Sequence, residues 1–568
     1  MMRAASVAIL IALLIALPAC SSFDEIVKIT AIGRSHEIRD DDDDDDHEPR
    51  SNGASRPDLL IVAIDGMKRD VLYRLLEAGA LPGLTKLLGG GSGGALPHAY
   101  LDRSMLAPLP SITIVGWATI FTGMPPAANG ITGNEFFIRE ERRLAAPIPG
   151  SFEDAEPKLA TYTDDYTDDL LEVPTLYERL RADDPDAGIW VAVSQFHRGA
   201  DRLLIAKRSA IVGKVYASAV DTVTWREFGR YEERDQEILD NVIEEIEDDD
   251  YPVPDVLTLY VSGGDSYAHV AEEGPDRALE RFATGKLDEA FAELTEALEE
   301  RGALADRYVV VVADHGHSPV PDDGSTLLTT APRAVLKAAG FRVRPFALDV
   351  PADDDFSAVL AYQGPLAYVY VADRSTCAAP GTVCDWSRPP RFDGDVLPAA
   401  EAYFQANRRG AHAPEMRGTL DMVLVRRPRP LAEDDLPFEV YVGGGRRVAI
   451  DAYLRTHPHP RYVDFARRLR ELAVGRYGER AGDLILVAEN GDDDGPTGRY
   501  YFNSEPQRSV HGSASRQDAE IPLIVAHPGR SSAELRQLVT ETIGPHPLAR
   551  RITDLALRLR QPAARSRP

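Results

Sequence analysis

The chain is poor in cysteine, with three residues in 568. Cys20 stands near the start. That leaves Cys377 and Cys384 as a pair, with no second pair nearby to complete a zinc knuckle. They are expected to close a small disulfide loop around Ala378-Ala379-Pro380-Gly381, as an oxidising compartment permits. Basic charge is also short: 63 Lys and Arg face 91 Asp and Glu, for a net charge of −28. A protein that coats nucleic acid needs a basic surface, so that role is excluded. Seven of the negative charges fall in one run, Asp40 to Asp46, so the rest of the chain is less extreme than its total. There is no internal repeat, and no segment after the first residues is long and apolar enough for a transmembrane helix. What is present is length and apolar residues, 44% of the chain, enough for a large α/β enzyme with an inserted subdomain.

The N-terminus predicts a compartment. Arg3 gives a positive start, Val7 to Leu17 is an apolar run of signal-peptide length, and Leu17-Pro18-Ala19-Cys20 comes next. A small residue before cysteine after such a run resembles a bacterial lipobox, in which the cysteine is lipidated and becomes the mature N-terminus. Residues 1–19 therefore read as a signal peptide and Cys20 as a lipid anchor to the membrane. The expected location is beyond the inner membrane, at an outer membrane facing the periplasm or the cell surface. Residues 20–56 read as an acidic tether, with the Asp run as a solvated, self-repelling spacer and Pro49, Asn52, Gly53 and Pro57 after it.

The pattern then alternates. Asp58 to Ile64 is a continuous apolar run, the mark of a strand buried on both faces. Ile189 to Ser194, Asp255 to Val261, Tyr308 to Ala313, Asp483 to Val487 and Ile521 to Ala526 repeat it. Helical patterns lie between them, at Lys68 to Ala78, Pro275 to Glu300 and Tyr462 to Val474. The fold class is α/β, a mostly parallel central sheet with helices on both faces. Residues 57–320 and 480–568 are expected to form the catalytic domain. Residues 321–479, with more Pro, Gly and Arg and less regular spacing, read as an insertion or cap.

Ligands of such sheets bind beyond the carboxyl ends of strands. Asp65 directly follows one apolar run. Asp265, four residues before His269, follows another, and Asp314-His315 follows a third. An Asp after a strand often only caps a helix. Mutually repelling carboxylates converging on one sheet edge, however, call for bound cations.

These residues sit in longer motifs: Ile64-Asp65-Gly66-Met67, Pro110-Ser111-Ile112-Thr113, Thr122-Gly123, Asn129-Gly130-Ile131, Asp265-Ser266-Tyr267-Ala268-His269, Asp314-His315-Gly316 and Val510-His511-Gly512-Ser513. Together, and in this order, they resemble the alkaline phosphatase superfamily, and within it the type I phosphodiesterase/nucleotide pyrophosphatase family. The resemblance covers roughly residues 57–320 and 480–530. It implies an alkaline phosphatase-like fold and a hydrolase of small phosphate esters with two divalent metal ions. One metal would be held by Asp65, Asp314, His315 and the oxygen of Thr113, the other by Asp265, His269 and His511. Mixed Asp and His ligands suit zinc. Two divalent cations against three carboxylates and a threonine alkoxide also leave a neutral site open to an anionic phosphoryl group.

The same resemblance makes Thr113 the nucleophile of a phosphothreonine intermediate, activated by metal coordination near the start of a helix expected at Val115 to Phe121. The bland alternative is that Thr113 only caps that helix. The resemblance also implies a donor three residues after the nucleophile, where this chain has Gly116. Asn134 resembles another asparagine of that branch, so both are candidate substrate-binding positions. His317, where the family often has methionine, is expected only to line the pocket, and Arg198 is a candidate partner for phosphate. The sulfatase branch is disfavoured, because the Ser111 to Val115 segment lacks its Cys/Ser-x-Pro-x-Arg nucleophile motif. Two alternatives stand beside the diesterase: a phosphomonoesterase on the same scaffold, and an inactive surface-anchored binding protein, which would have let the ligand set decay.

Overall fold

The computed structural model describes residues 56–562 apart from 92, 149–150, 152–165, 205–227, 348–349, 352, 380, 429–434 and 492. The expected signal peptide, Cys20 and nearly all of the acidic tether lie outside the described residues. No helix among the described residues is long and apolar enough to cross a membrane.

The central sheet has seven strands in the spatial order Ala99–Asp102, Leu523–Ala526, Arg307–Val312, Asp58–Ile64, Val256–Val261, Ile189–Ala192 and Arg202–Leu204. Asp58–Ile64 pairs in parallel with both Val256–Val261 and Arg307–Val312, and Ile189–Ala192 pairs in parallel with its two neighbours. Leu523–Ala526, expected among the parallel strands, runs antiparallel to both of its neighbours. Successive strand residues point to opposite faces, so a strand buried at nearly every position is covered on both. Leu59 to Ile64 is at most 2% exposed throughout, and one apolar cluster joins the sheet to its flanking helices.

The register sets the position of the chemistry. Ile64 lies beside Val261, and Ala63 beside both Tyr260 and Val312. Three parallel strands therefore end within a residue of one another, and their continuations emerge at the same edge. Those continuations are Asp65, Ser262 with the short helix Gly263–Ala268 that carries Asp265, and Asp314-His315.

The helical run expected from Pro275 to Glu300 is two helices, Pro275–Ala283 and Lys286–Glu300. They part at Gly285, where a Cβ would lie 2.1 Å from the Glu232 carboxylate, which accepts from the Lys286 amide at 3.3 Å. Any side chain at position 285 would meet the neighbouring Phe228–Glu247 helix that carries Glu232.

A second sheet is antiparallel throughout, in the order Ala358–Gln363, Leu366–Val371, Leu484–Ala488, Leu420–Arg426, Phe438–Tyr441 and Arg447–Ala449. Leu484–Ala488, expected in the central sheet, belongs here. It pairs with Leu366–Val371 and Leu420–Arg426, which carries this sheet past the boundary at 480 that the sequence suggested. Periodicity marks a buried strand but not its partners, and apolar clusters on both faces of the second sheet bury this one equally well. Cys377 and Cys384 are disulfide-bonded and sit in one of those clusters. A two-residue pairing of Ser509–Val510 with Ser318–Pro319 links the His511 segment to the segment after Asp314.

Candidate metal centre

Three strand ends and one incoming loop bring Asp65, Asp265, His269, Asp314, His315 and His511 together. Ligand atoms of Asp65, Asp314 and His315 lie within 4.8 Å of one another, as do those of Asp265, His315 and His511. Asp265 Oδ1 is 3.7 Å from His269 Nε2 and 3.6 Å from His511 Nε2, and the two imidazole nitrogens are 3.1 Å apart. The six Asp and His residues expected as metal ligands are thus brought into one cluster.

The hydrogen bonds around the cluster decide which atoms remain available. Asp65 Oδ2 accepts from the Tyr260 hydroxyl, leaving Oδ1 buried with no partner. Asp314 Oδ1 accepts from the Gly66 amide at 3.1 Å, leaving Oδ2 in the same condition. Those two oxygens lie 3.3 and 3.2 Å from His315 Nε2. His315 Nδ1 is 3.0 Å from the Gly316 carbonyl and His269 Nδ1 is 2.8 Å from the Ser509 carbonyl. A carbonyl only accepts, so each Nδ1 carries a proton and each Nε2 is the nitrogen left facing the cluster, available to a cation once deprotonated. Buried carboxylate oxygens without donors, and imidazole nitrogens converging on them, make a donor set that fits cations.

Thr113 opens the helix Thr113–Thr122, two residues earlier than expected. Its hydroxyl is 3.2 Å from His315 Nε2 and makes no capping bond. The capping oxygen comes from Asn134, whose Oδ1 accepts from the Ile114 amide at 3.1 Å. Thr113 is therefore free of the capping role. Asn134 is in turn held by the Gln363 side chain, which accepts from the Asn134 amide at 2.8 Å. The loop before Thr113 is clamped by buried Arg468, which donates to the carbonyls of Ala107 and Pro108, both at 2.9 Å.

Two substrate-binding expectations change. Gly116 donates its amide to the Ile112 carbonyl inside the helix, and a Cβ there would lie 2.6 Å from Asp314 Cβ. Position 116 is a close-packing position with no donor to offer, and Asn134 is the asparagine that lies beside Thr113. Arg198 donates to the carbonyls of Asp168 and Val173 and pairs with Glu178, so it fastens its own loop.

Other residues around the site escaped the sequence reading. Tyr260, one residue before the end of its strand, orients Asp65 and accepts from Gln195 Nε2 at 2.9 Å. A polar-tipped aromatic in register beside the strand that carries Asp65 is a weak signal for this role. Asp518 accepts from the Ser513 amide and hydroxyl at 2.9 and 2.6 Å and from the Ser318 hydroxyl, tying the His511 loop to the His315 loop. His317, which the sequence marked only as lining the pocket, places Nε2 2.9 Å from Asp265 Oδ1, and ligand atoms of Asp265, His269 and His317 lie within 4.8 Å of one another.

Crowding shifts the titration of the cluster. Burial, and then the Asp265 charge, raises Asp65. Burial, and then Asp65, raises Asp314 well above the usual carboxylate range. Burial alone would lower His315, but Asp314, Asp65 and Asp265 outweigh it and hold the imidazole at about 10. Asp265 runs the other way: burial would raise it, and the neighbouring imidazoles, His269 foremost, bring it well down. Without cations, His315 thus holds a proton at neutral pH, which a cation must displace. Cation uptake at pH 7 is expected to release about one proton or more, and affinity to weaken as the pH falls. Calorimetric titration in two buffers of different ionisation enthalpy checks this; equal heats in both would contradict it.

Residues 59–377 match the sequence profile of a family described as Type I phosphodiesterase / nucleotide pyrophosphatase. The alkaline phosphatase PafA of Elizabethkingia meningoseptica is 30% identical over 92 residues, 16% of each chain. An uncharacterized pyrophosphatase/phosphodiesterase of Schizosaccharomyces pombe is 24% identical over 270 residues, 47% of this chain and 46% of the relative. The chain thus aligns with less than half the length of either relative. A crystal structure of a PafA mutant superposes with a TM-score of 0.50 at 13% identity, covering 85% of this chain and 93% of that one. At that identity the likeness concerns the fold, the same seven-stranded α/β architecture.

Proposed function

Because the chain belongs to the type I phosphodiesterase/nucleotide pyrophosphatase family, we propose that it hydrolyses phosphate esters with Thr113 as nucleophile and two divalent cations, zinc by the chemistry of the donors. The observation that carries this reading is the Thr113 hydroxyl 3.2 Å from His315 Nε2, among buried carboxylate oxygens of Asp65 and Asp314 that have no partner of their own. Asp65, Asp314, His315 and Thr113 would hold one cation, and Asp265, His269 and His511 the other. Bound there, the cations would supply Lewis-acid stabilisation of phosphoryl charge and lower the pKa of the threonine hydroxyl.

The chain's own residues do the rest. Thr113, fixed at the first turn of a buried helix behind the Arg468-clamped loop, gives its hydroxyl proton to solvent and attacks phosphorus; the bond from phosphorus to the oxygen of the leaving alcohol breaks, and the alcohol departs as the phosphothreonine forms. The Asn134 carbonyl oxygen is engaged by the Ile114 amide, which turns the amide –NH₂ away from the helix to serve a phosphoryl oxygen. The same helix start favours an anion. Hydrolysis of the phosphothreonine then regenerates the hydroxyl. The test is a comparison of a nitrophenyl phosphodiester with a nitrophenyl phosphate monoester on zinc-loaded protein. Faster diester turnover supports the diesterase reading. Faster monoester turnover would assign the phosphomonoesterase alternative, and turnover of neither would leave the surface-anchored binding protein.

We also propose that the enzyme is lipid-anchored through Cys20 outside the inner membrane, supported by the apolar run ending at Leu17-Pro18-Ala19-Cys20. Labelled fatty acid should be incorporated into the wild-type protein in a bacterial host and not into Cys20→Ala. Absence of label from the wild type would remove the anchor.

A further inference from the structure

His317 has no place in either group of ligands just assigned, and from the sequence it was expected only to line the pocket. Its hydrogen bonds say more. The imidazole is completely buried, with Nδ1 3.1 Å from Ser509 Oγ and Nε2 2.9 Å from Asp265 Oδ1. Ser509 has one hydroxyl proton, which it donates to the Ala268 carbonyl at 2.8 Å. A carbonyl has no proton to give in return, so Ser509 Oγ is left as the acceptor for His317 Nδ1–H. In the neutral imidazole the lone pair is then on Nε2. It faces a carboxylate oxygen that is also an acceptor.

Two acceptors 2.9 Å apart repel unless a cation lies close to both. His269 and His315 show the same arrangement, each with Nδ1 directed at a carbonyl and Nε2 turned inward. The backbone leaves room for it. At Gly66, whose φ is +64°, a Cβ would lie 2.7 Å from His317 Nε2 and 2.8 Å from Asp265 Oδ1. Only glycine tolerates both that conformation and that approach.

We propose that His317 is a further protein ligand, through Nε2, of the cation assigned to Asp265, His269 and His511, in a tautomer set by Ser509. The proposal rests on the two-cation reading above and extends it. A fourth protein ligand tightens this site, since an additional imidazole replaces a water in the ligand shell.

The test uses the purified, metal-free full chain titrated with cobalt(II), followed by calorimetry and by visible absorption, which reports the ligand set independently of turnover. The wild type should take up two ions. His317→Ala and His317→Gln should each weaken one site by about tenfold or more and alter its visible spectrum, leaving the other site unchanged. Ser509→Ala keeps the imidazole but removes its acceptor, and should weaken the same site by a smaller factor. Circular dichroism identifies any variant that fails to fold, and the remaining ones carry the test. If His317→Gln binds like the wild type while His317→Ala does not, an N–H donor to Asp265 suffices and the proposal is wrong. Unchanged affinity and spectrum in both variants would also overturn it. A wild type that takes up fewer than two ions overturns the two-cation reading, and this proposal with it.

Discussion

Replacing Thr113 with Ala is expected to lower turnover by about a thousandfold or more, about 4 kcal/mol of transition-state stabilisation, while leaving fold and metal content unchanged. The size of the effect comes from what the hydroxyl does and does not touch. It makes no capping bond, because the Ile114 amide is satisfied by Asn134, so its removal costs the helix little. A capping threonine would instead lose about 1 kcal/mol of stability and keep its chemistry. Among the described residues the hydroxyl has its hydrogen-bonding contact with His315 Nε2 in the ligand cluster. Thr113→Ser keeps the attacking oxygen at the same backbone position and should retain measurable activity. The measurement is kcat beside melting temperature and metal content for the three proteins. A Thr113→Ala variant that melts lower yet turns over substrate at nearly the wild-type rate would end the nucleophile assignment.

Asp314→Asn is expected to abolish activity to a comparable extent by a different route, and to separate metal binding from folding. The asparagine carbonyl can still accept from the Gly66 amide, so the shape of the strand end survives. At the Oδ2 position, however, an N–H₂ donor replaces the unpartnered carboxylate oxygen beside His315 Nε2. Cation affinity should fall by more than about a hundredfold, beyond the loss typical of a residue that only supports a ligand.

The sign for stability is opposite. Burial and Asp65 raise the Asp314 pKa above its unfolded value, so from the unfolded pKa upward this carboxylate destabilises the metal-free fold. Asparagine has no such cost. Metal-free Asp314→Asn should therefore melt at or above the temperature of metal-free wild type at pH 7. Zinc, which raises the melting temperature of the wild type by binding only the folded state, should shift the variant much less. A variant that still gains the full zinc-dependent shift would show that Asp314 is not a ligand.

Neither effect requires knowing the substrate, and both concern residues the sequence already marked. Asp65, Asp265, His269, Asp314 and His315 were legible because each lies directly after, or a few residues beyond, a short apolar run. Such a run forms a buried parallel strand through local pattern alone, and the end of a strand in an α/β sheet is where ligands bind. The register then had little freedom: shifting Asp58–Ile64 by one residue would turn each of its side chains to the opposite face. His511 and Thr113 lie on segments with no such pattern, and only their motifs picked them out.

Tertiary structure decided the state of each polar atom, which depends on partners far away in the chain. Asn134 caps the nucleophile's helix, Gly116 packs against Asp314, and Arg198 holds its own loop; none of these contacts has a periodicity. Tyr260 takes one oxygen of Asp65 and leaves the other for the site. His317 turns inward because Ser509, 192 residues later, directs its Nδ1. Leu484–Ala488 was legible as a strand and was expected in the wrong sheet, because an apolar run records burial but not its neighbour. The chain's local chemistry determined which residues could form a metal centre, and long-range hydrogen bonding determined which of their atoms remain free to do so.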